Sequence, residues 1–256
     1  MEETLRLLIS LGLGLLLVLL RLDAERFGAA EYDERIDGQS PPLRSRLAWY
    51  LLGIGLIAAV LFIHPDPANG LGLGLGDRGL AIVWGFCYGA LGALIALGVA
   101  WLRYGHLRLP DPASYPGALT NALFTAFIDE ATFRGIILGL LLASGLDPRL
   151  AVVIQALAYA LVTRTGAPGR PWQMLLVSLL IGLVGGVLTV WTEGIGAAFI
   201  GHGITRFSIF LATGHPGGQF APRGREDEEL LRRVLTPEGW RPLTGPGAGR
   251  GSSTER

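Results

Sequence analysis

The sequence predicts an all-α, polytopic membrane helix bundle of about seven transmembrane helices. Half of the 256 residues are hydrophobic and only 16% are charged, with a mean hydropathy of +0.46, which is too apolar for a soluble domain of this length. The apolar residues also come in long runs rather than one-sided stripes, the pattern of helices with lipid on the outside. A third observation, the placement of arginines, sets the number of crossings.

The first span is Leu5 to Leu20, LRLLISLGLGLLLVLL, bracketed by Arg6 and Arg21 at the two interfaces. Glu2 and Glu3 stand where a signal peptide carries basic residues, no small-x-small cleavage site follows, and RLDAERF continues directly into a charged loop. The span is therefore expected to remain as an anchor. Further spans are expected at Leu47 to Ile63, Leu80 to Leu102, Gly117 to Leu142, Leu150 to Thr163, Trp172 to Trp191 and Ile195 to Thr213. The fifth is short against the roughly 20 residues a bilayer requires. Between the second and third, LGLGLG at Leu71 to Gly76 lacks the strand, spacing and lysine of a phosphate loop and reads as a flexible loop.

Cytoplasmic loops collect basic residues, so arginine placement tests the count. Seven spans put Arg26, Arg35, Arg44 and Arg46 on one side with Arg103, Arg108, Arg164, Arg170 and the basic tail, leaving only Arg6, Arg78 and Arg149 on the other. An even number would break this pattern. The reading places the N-terminus outside and the C-terminus in the cytoplasm of a bacterial inner membrane. From Gly214 onward the composition turns polar, with EDEELLRRVL able to form one short amphipathic helix before a disordered end. The single cysteine, Cys87, excludes an internal disulfide and is expected to be a small buried apolar residue. No lysine occurs.

The polar residues within the spans are organised. Asn121, Thr125 and Asp129 recur every four residues on the fourth span, with Thr132 three further on, so they share a helical face. Glu130 and Arg134 form an adjacent pair of the same spacing, Gln155, Tyr159 and Thr163 repeat it on the fifth span, and His202 and Arg206 do so on the seventh. Asp129 and His202 lie at similar depths, about 16 to 18 Å from the cytoplasmic ends of their spans at about 1.5 Å per residue. Charges at such depth face the bundle interior. Asp129 is expected to point toward His202 and Arg206 with Arg206 as its partner, and Glu130 to pair with Arg134.

The stretch DEATFRG, Asp129 to Gly135, resembles the first motif of the CPBP intramembrane proteases, which include type II CAAX prenyl endopeptidases and bacteriocin-immunity-like proteins. That motif is a pair of acids, three residues and an arginine. The second motif, F-x-x-x-H, falls on YALVT, with Tyr159 at the aromatic position and Thr163 in place of histidine; the third, H-x-x-x-N or H-x-x-x-D, falls on HGITR, with His202 matching and Arg206 in place of the amide or acid. The resemblance covers a core from about residue 71 to 213, within a transmembrane domain of residues 1–213 and ahead of a tail of residues 214–256.

The resemblance implies peptide hydrolysis within the membrane, with the first acid and second-motif histidine activating water and the third motif stabilising the oxyanion. Carried over, the site residues are Asp129, Glu130, Arg134, Thr163, His202 and Arg206. Asp129 is one methylene shorter than the usual glutamate, Thr163 is no base at neutral pH, and Arg206 keeps hydrogen-bond donors. Two acids and two arginines summing to zero are equally those of a helix lock that needs no substrate. Three functions follow: an intramembrane endopeptidase, a catalytically silent scaffold or immunity-type binding protein, and a small-solute or proton transporter, the last without the internal repeat that would favour it. The family carries a metalloprotease label, yet His64, His106 and His215 lie in loops or the tail and offer no clustered zinc ligands; metal and cofactor are left unassigned. The expected partners are membrane lipids and a peptide or membrane-protein substrate, with no nucleic acid.

The topology carries its own test: a cysteine placed in the C-terminal tail should resist impermeant labelling from the outer face, and labelling there would overturn the seven-span orientation.

Overall fold

The computed structural model describes residues 2–29, 43–104, 110, 112–166 and 173–213. The expected tail helix and disordered end, with His106 and His215, lie outside these residues. Each expected span is a helix: α1 (Glu2–Leu22), α2 (Leu43–Ile63), α3 (Arg78–Tyr104), α4 (Tyr115–Glu130), α5 (Pro148–Thr165), α6 (Gln173–Thr192) and α7 (Gly196–Thr213). α4 continues without a break through a π-helical turn, Ala131–Ile137, into α-helical Leu138–Ala143. The fifth helix gains length over its apolar run because Asp147 caps it, accepting from the amides of Arg149 and Leu150, with Pro148 in the first turn.

Among the described residues, four helices are long and apolar enough to cross a membrane: Glu2–Leu22, Arg44–Ile63, Arg78–Leu102 and Leu175–Thr192. Their outer faces carry exposed Leu8, Leu51, Phe62, Leu94 and Leu102, surface that only lipid can cover at low cost. The other three, α4, α5 and α7, hold most of the buried polar residues, with Ser10 and Arg21 on α1 and Ser178, Thr189 and Thr192 on α6. The chain is an integral membrane helix bundle.

Small residues set the packing, as expected where lipid removes the hydrophobic drive between helices. α3 lies along α7 through Gly85 and Gly89, whose added Cβ atoms would stand 2.8 Å from Ile200 and 2.7 Å from Ile204. Cys87 lies off this seam and is exposed on the outer face of α3, not buried as expected. α5 meets α6 through Gly182 against Ala156 and Gly186 against Val152. α1 and α2 are antiparallel, joined by Arg6 Nε donating to the Ile63 carbonyl at 2.8 Å and Trp49 Nε1 to the Leu20 carbonyl at 2.9 Å. α1 is likewise antiparallel to α4, with Gly14 on Ile136 and Arg21 on Asp129.

LGLGLG is not a free loop. It runs as a strap over the bundle end: the Gly72 amide donates to the Gly135 carbonyl at 2.9 Å, the Ile195 amide to the Gly74 carbonyl at 2.9 Å and the Asp77 amide to the Thr192 carbonyl at 2.8 Å. The strap ties the π-helical turn of α4 to the α6–α7 turn. Its glycines allow backbone to lie on backbone, which sequence periodicity does not reveal. Non-helical backbone survives in a membrane protein where protein buries it and satisfies its polar groups.

A Cβ on Gly139 would meet the Gly72 amide nitrogen and Leu71 Cα at 2.9 Å, and backbone atoms do not yield as a side-chain tip does. Gly139→Ala should destabilise the protein by about 1–3 kcal/mol, while Gly98→Ala, with nothing within 4 Å, should be neutral or stabilising by up to about 1 kcal/mol. Melting of the two variants in detergent checks the contrast.

Candidate active site

The polar face of α4 is fully interior. Tyr50 of α2 donates to Asn121 Oδ1 at 2.7 Å, and Thr125 Oγ1 lies 3.0 Å from the same oxygen. One turn on, Asp129 and Glu130 have no exposed surface, and Thr132 has almost none. Adjacent residues on a helix point about 100° apart, so the two acids look into different helix interfaces.

Glu130 looks toward α5, α6 and α7. Its Oε1 lies 2.7 Å from His202 Nδ1 and its Oε2 3.2 Å from Arg134 Nε. The second contact is an ion pair without hydrogen-bond alignment. Arg134 is anchored from the other side by donation of Nη2 to the Ile181 carbonyl at 3.0 Å, with its guanidinium carbon 4.3 Å from the centre of the Tyr159 ring. Gly185 leaves room for it: a Cβ there would stand 3.0 Å from Arg134 Nε. Tyr159 Oη closes the circuit 3.4 Å from His202 Nε2, and Phe133 packs edge-on against the Tyr159 ring. The expected Glu130–Arg134 pairing is present, whereas the acid that meets His202 is Glu130 and not Asp129.

Asp129 meets a residue that spacing did not bring into the site. Arg21 Nε lies 2.7 Å from Asp129 Oδ1, and both side chains are almost wholly buried, at 3% and 0% exposed. This corrects two expectations. Arg21 is not an interfacial bracket, and the guanidinium facing Asp129 comes from α1, not from Arg206 on α7. The reason is the antiparallel register of α1 and α4, which hydropathy does not encode. The contact is close but lacks N–H···O alignment, so it is Coulombic rather than a directed hydrogen bond.

Thr163 is buried, and its hydroxyl has no hydrogen-bond partner among the described residues. Three residues on, Gly166 lies against the end of α1, where an added Cβ would meet the Leu22 and Arg21 carbonyls at 3.0 and 3.1 Å. Arg206 is 2% exposed, and its Nη2 donates to the Ala29 carbonyl at 3.3 Å. The six residues therefore divide: Glu130, Arg134 and His202 form one connected cluster, Asp129 is tied to α1, Arg206 is tied to the segment after α1, and Thr163 lies on the helix whose end meets α1.

Chemically, a histidine whose Nδ1 is held by a carboxylate is oriented to exchange a proton through Nε2. Among the described residues no three His, Cys, Asp or Glu side chains form a group that could hold a metal ion, and the two acids diverge toward different partners.

The chain is thus a bundle of membrane helices with a buried acid–arginine–histidine cluster whose three residues lie on two of them, α4 and α7. Residues 111–208 match the family model described as type II CAAX prenyl endopeptidase Rce1-like, so this stretch of the chain is similar to that family, in keeping with the resemblance of its motifs. The matched stretch contains all six site residues but not Arg21. No curated protein and no solved structure matches the chain.

Removing one partner of a buried ion pair costs about 3–5 kcal/mol, because the other charge is left uncompensated. Arg134→Ala should therefore lower the yield and melting temperature of the folded protein sharply, and Arg134→Lys should not restore both the Ile181 and Tyr159 contacts. Wild-type thermal stability in Arg134→Ala would contradict the assignment.

Proposed function

We propose that this chain is a CAAX-endopeptidase-like membrane protein that holds a peptide segment at its polar centre without hydrolysing it. The observation that carries this reading is the Arg21–Asp129 contact at 2.7 Å. Asp129 stands at the first-motif acid, the position that the family resemblance makes a base toward water. To serve as a base toward water it would have to leave its close contact with a buried guanidinium, giving up that Coulombic stabilisation. Thr163, at the second-motif position, supplies no imidazole to share the task. What remains is a set of donors and charges suited to gripping main-chain carbonyls. The arginine distribution supports the accompanying placement in a bacterial inner membrane, N-terminus outside.

A second reading is favoured by one observation, the 2.7 Å contact between Glu130 and His202. In that reading the Glu130–His202 pair is the base, and hydrolysis proceeds without Asp129. One experiment separates the two. The full-length chain in liposomes, incubated with a panel of prenylated peptides, should leave them intact. Cleavage lost in Glu130→Gln but kept in Asp129→Asn would establish the second reading; cleavage abolished by Asp129→Asn would make Asp129 a working base and overturn the first.

A further inference from the structure

One short segment touches the first and third motif positions and the end of the helix that carries the second. At Leu20 it accepts from Trp49 Nε1; at Arg21 it reaches Asp129 of the first motif. Its Arg21 and Leu22 carbonyls lie against Gly166, three residues beyond Thr163 of the second. Its Ala29 carbonyl accepts from Arg206 of the third at 3.3 Å and lies 3.4 Å from Thr125 Oγ1. Between these points the chain folds in tight turns, with the Ala24 amide donating to the Arg21 carbonyl, the Ala29 amide to the Ala24 carbonyl, and Gly28 at a φ of 72°. Ala24 and Ala29 have no exposed surface, while Asp23 and Arg26 pair outward in solvent-accessible positions. The segment lies outside residues 111–208, the stretch that matches the family.

We propose that residues 20–29 occupy, in cis, the peptide-binding cleft of this centre, and that the cleft recognises a peptide bearing an arginine followed, within about three turns, by a small-residue turn that offers a main-chain carbonyl. The chemistry of each contact supports the assignment. A carboxylate selects a guanidinium over neutral side chains. Two donors converging on one carbonyl from α4 and α7 are the arrangement that a peptide-binding or oxyanion site needs, and Arg206 stands at the oxyanion position of the family motif. Alanine at 29, with glycine before it, lets the backbone approach where a larger side chain would hold it off. The segment thus reports the specificity of the site it fills. This inference rests on the centre being a peptide site, and its test reads binding separately from cleavage.

The probe is a synthetic peptide of residues 18–29, VLLRLDAERFGA, amidated at its C-terminus and added to the full-length protein in nanodiscs. The unmodified chain, its cleft already filled, should bind it weakly. Arg21→Gln, which loosens the resident segment, should bind it at least about tenfold more tightly, and Arg21→Lys, which keeps the charge, should behave as the unmodified chain. Adding Asp129→Asn to Arg21→Gln should remove the gain. Equal binding by the unmodified chain and Arg21→Gln, or a gain that survives Asp129→Asn, would overturn the proposal. Independently of any variant, hydrogen exchange on the unmodified chain should show the Ala24 and Ala29 amides protected as strongly as those of α4 around Thr125; rapid exchange there would overturn the seating of the segment. Cleavage of the bound peptide by Arg21→Gln would support the cleft assignment and instead refute the non-hydrolysing reading.

Discussion

Everything in this bundle depends on how two consecutive carboxylates are buried in an apolar interior. An isolated ionised carboxylate there is prohibitively costly, so each must find a cation or strong donors. Asp129 and Glu130 cannot share one, because the helix turns about 100° between them. Glu130 therefore draws Arg134 from its own helix and His202 from α7, and Arg134 in turn fixes α6 through the Ile181 carbonyl. Asp129 draws Arg21 from α1. The acids thus decide which helices come together, and the glycine seams decide how closely.

The parts legible in the sequence are those that depend on one helix at a time. The seven apolar runs are α1 to α7 with ends within a few residues, because away from water a backbone must satisfy its polar groups within its own helix. The Glu130–Arg134 pair was legible because four-residue spacing places partners on one face. What spacing does not carry is register between helices. An arginine at the end of a hydrophobic run looks interfacial, and only the antiparallel placement of α1 against α4 turns Arg21 inward. The same limit hid the choice of His202 for Glu130 over Asp129: both acids lie at one depth, and the face that Asp129 shares with Asn121 and Thr125 does not say which neighbouring helix it meets. LGLGLG was misread for a related reason, since its glycines serve contacts with Gly135 and Ile195 that are distant in the chain, and Cys87 because a uniformly apolar helix does not declare which face meets lipid.

The π-helical turn Ala131–Ile137 connects these two levels. It follows directly on the acids and contains Arg134, and the Gly135 carbonyl within it accepts from the strap. Such turns insert extra backbone into a helix and re-aim the side chains after it. Here Arg134 still reaches back to Glu130 while also reaching Ile181 on a different helix. The strap packs against this distortion, with Leu71 buried in the core, and also contacts the α6–α7 turn that leads into α7 and His202. The position of the acid–histidine contact is therefore supported by backbone hydrogen bonds at the far end, not only by the charges themselves.

An internal segment seated at the centre alters the thermodynamics of anything else that binds there. A tethered group acts at an effective concentration on the order of millimolar for a short connection, and Arg21 is more constrained still, being part of the helix that delivers it. A peptide in solution meeting Asp129 must first displace Arg21, and its apparent affinity falls by the fraction of time the cleft is open. Displacement also breaks the Ala29 contact with Arg206, so the first and third motif positions are released together. The coupling runs both ways: whatever holds α1 against α2, such as Arg6 on the Ile63 carbonyl and Trp49 on the Leu20 carbonyl, closes the centre to competitors. In this architecture the N-terminal helix is part of the site, and the charge at Asp129 answers to its position.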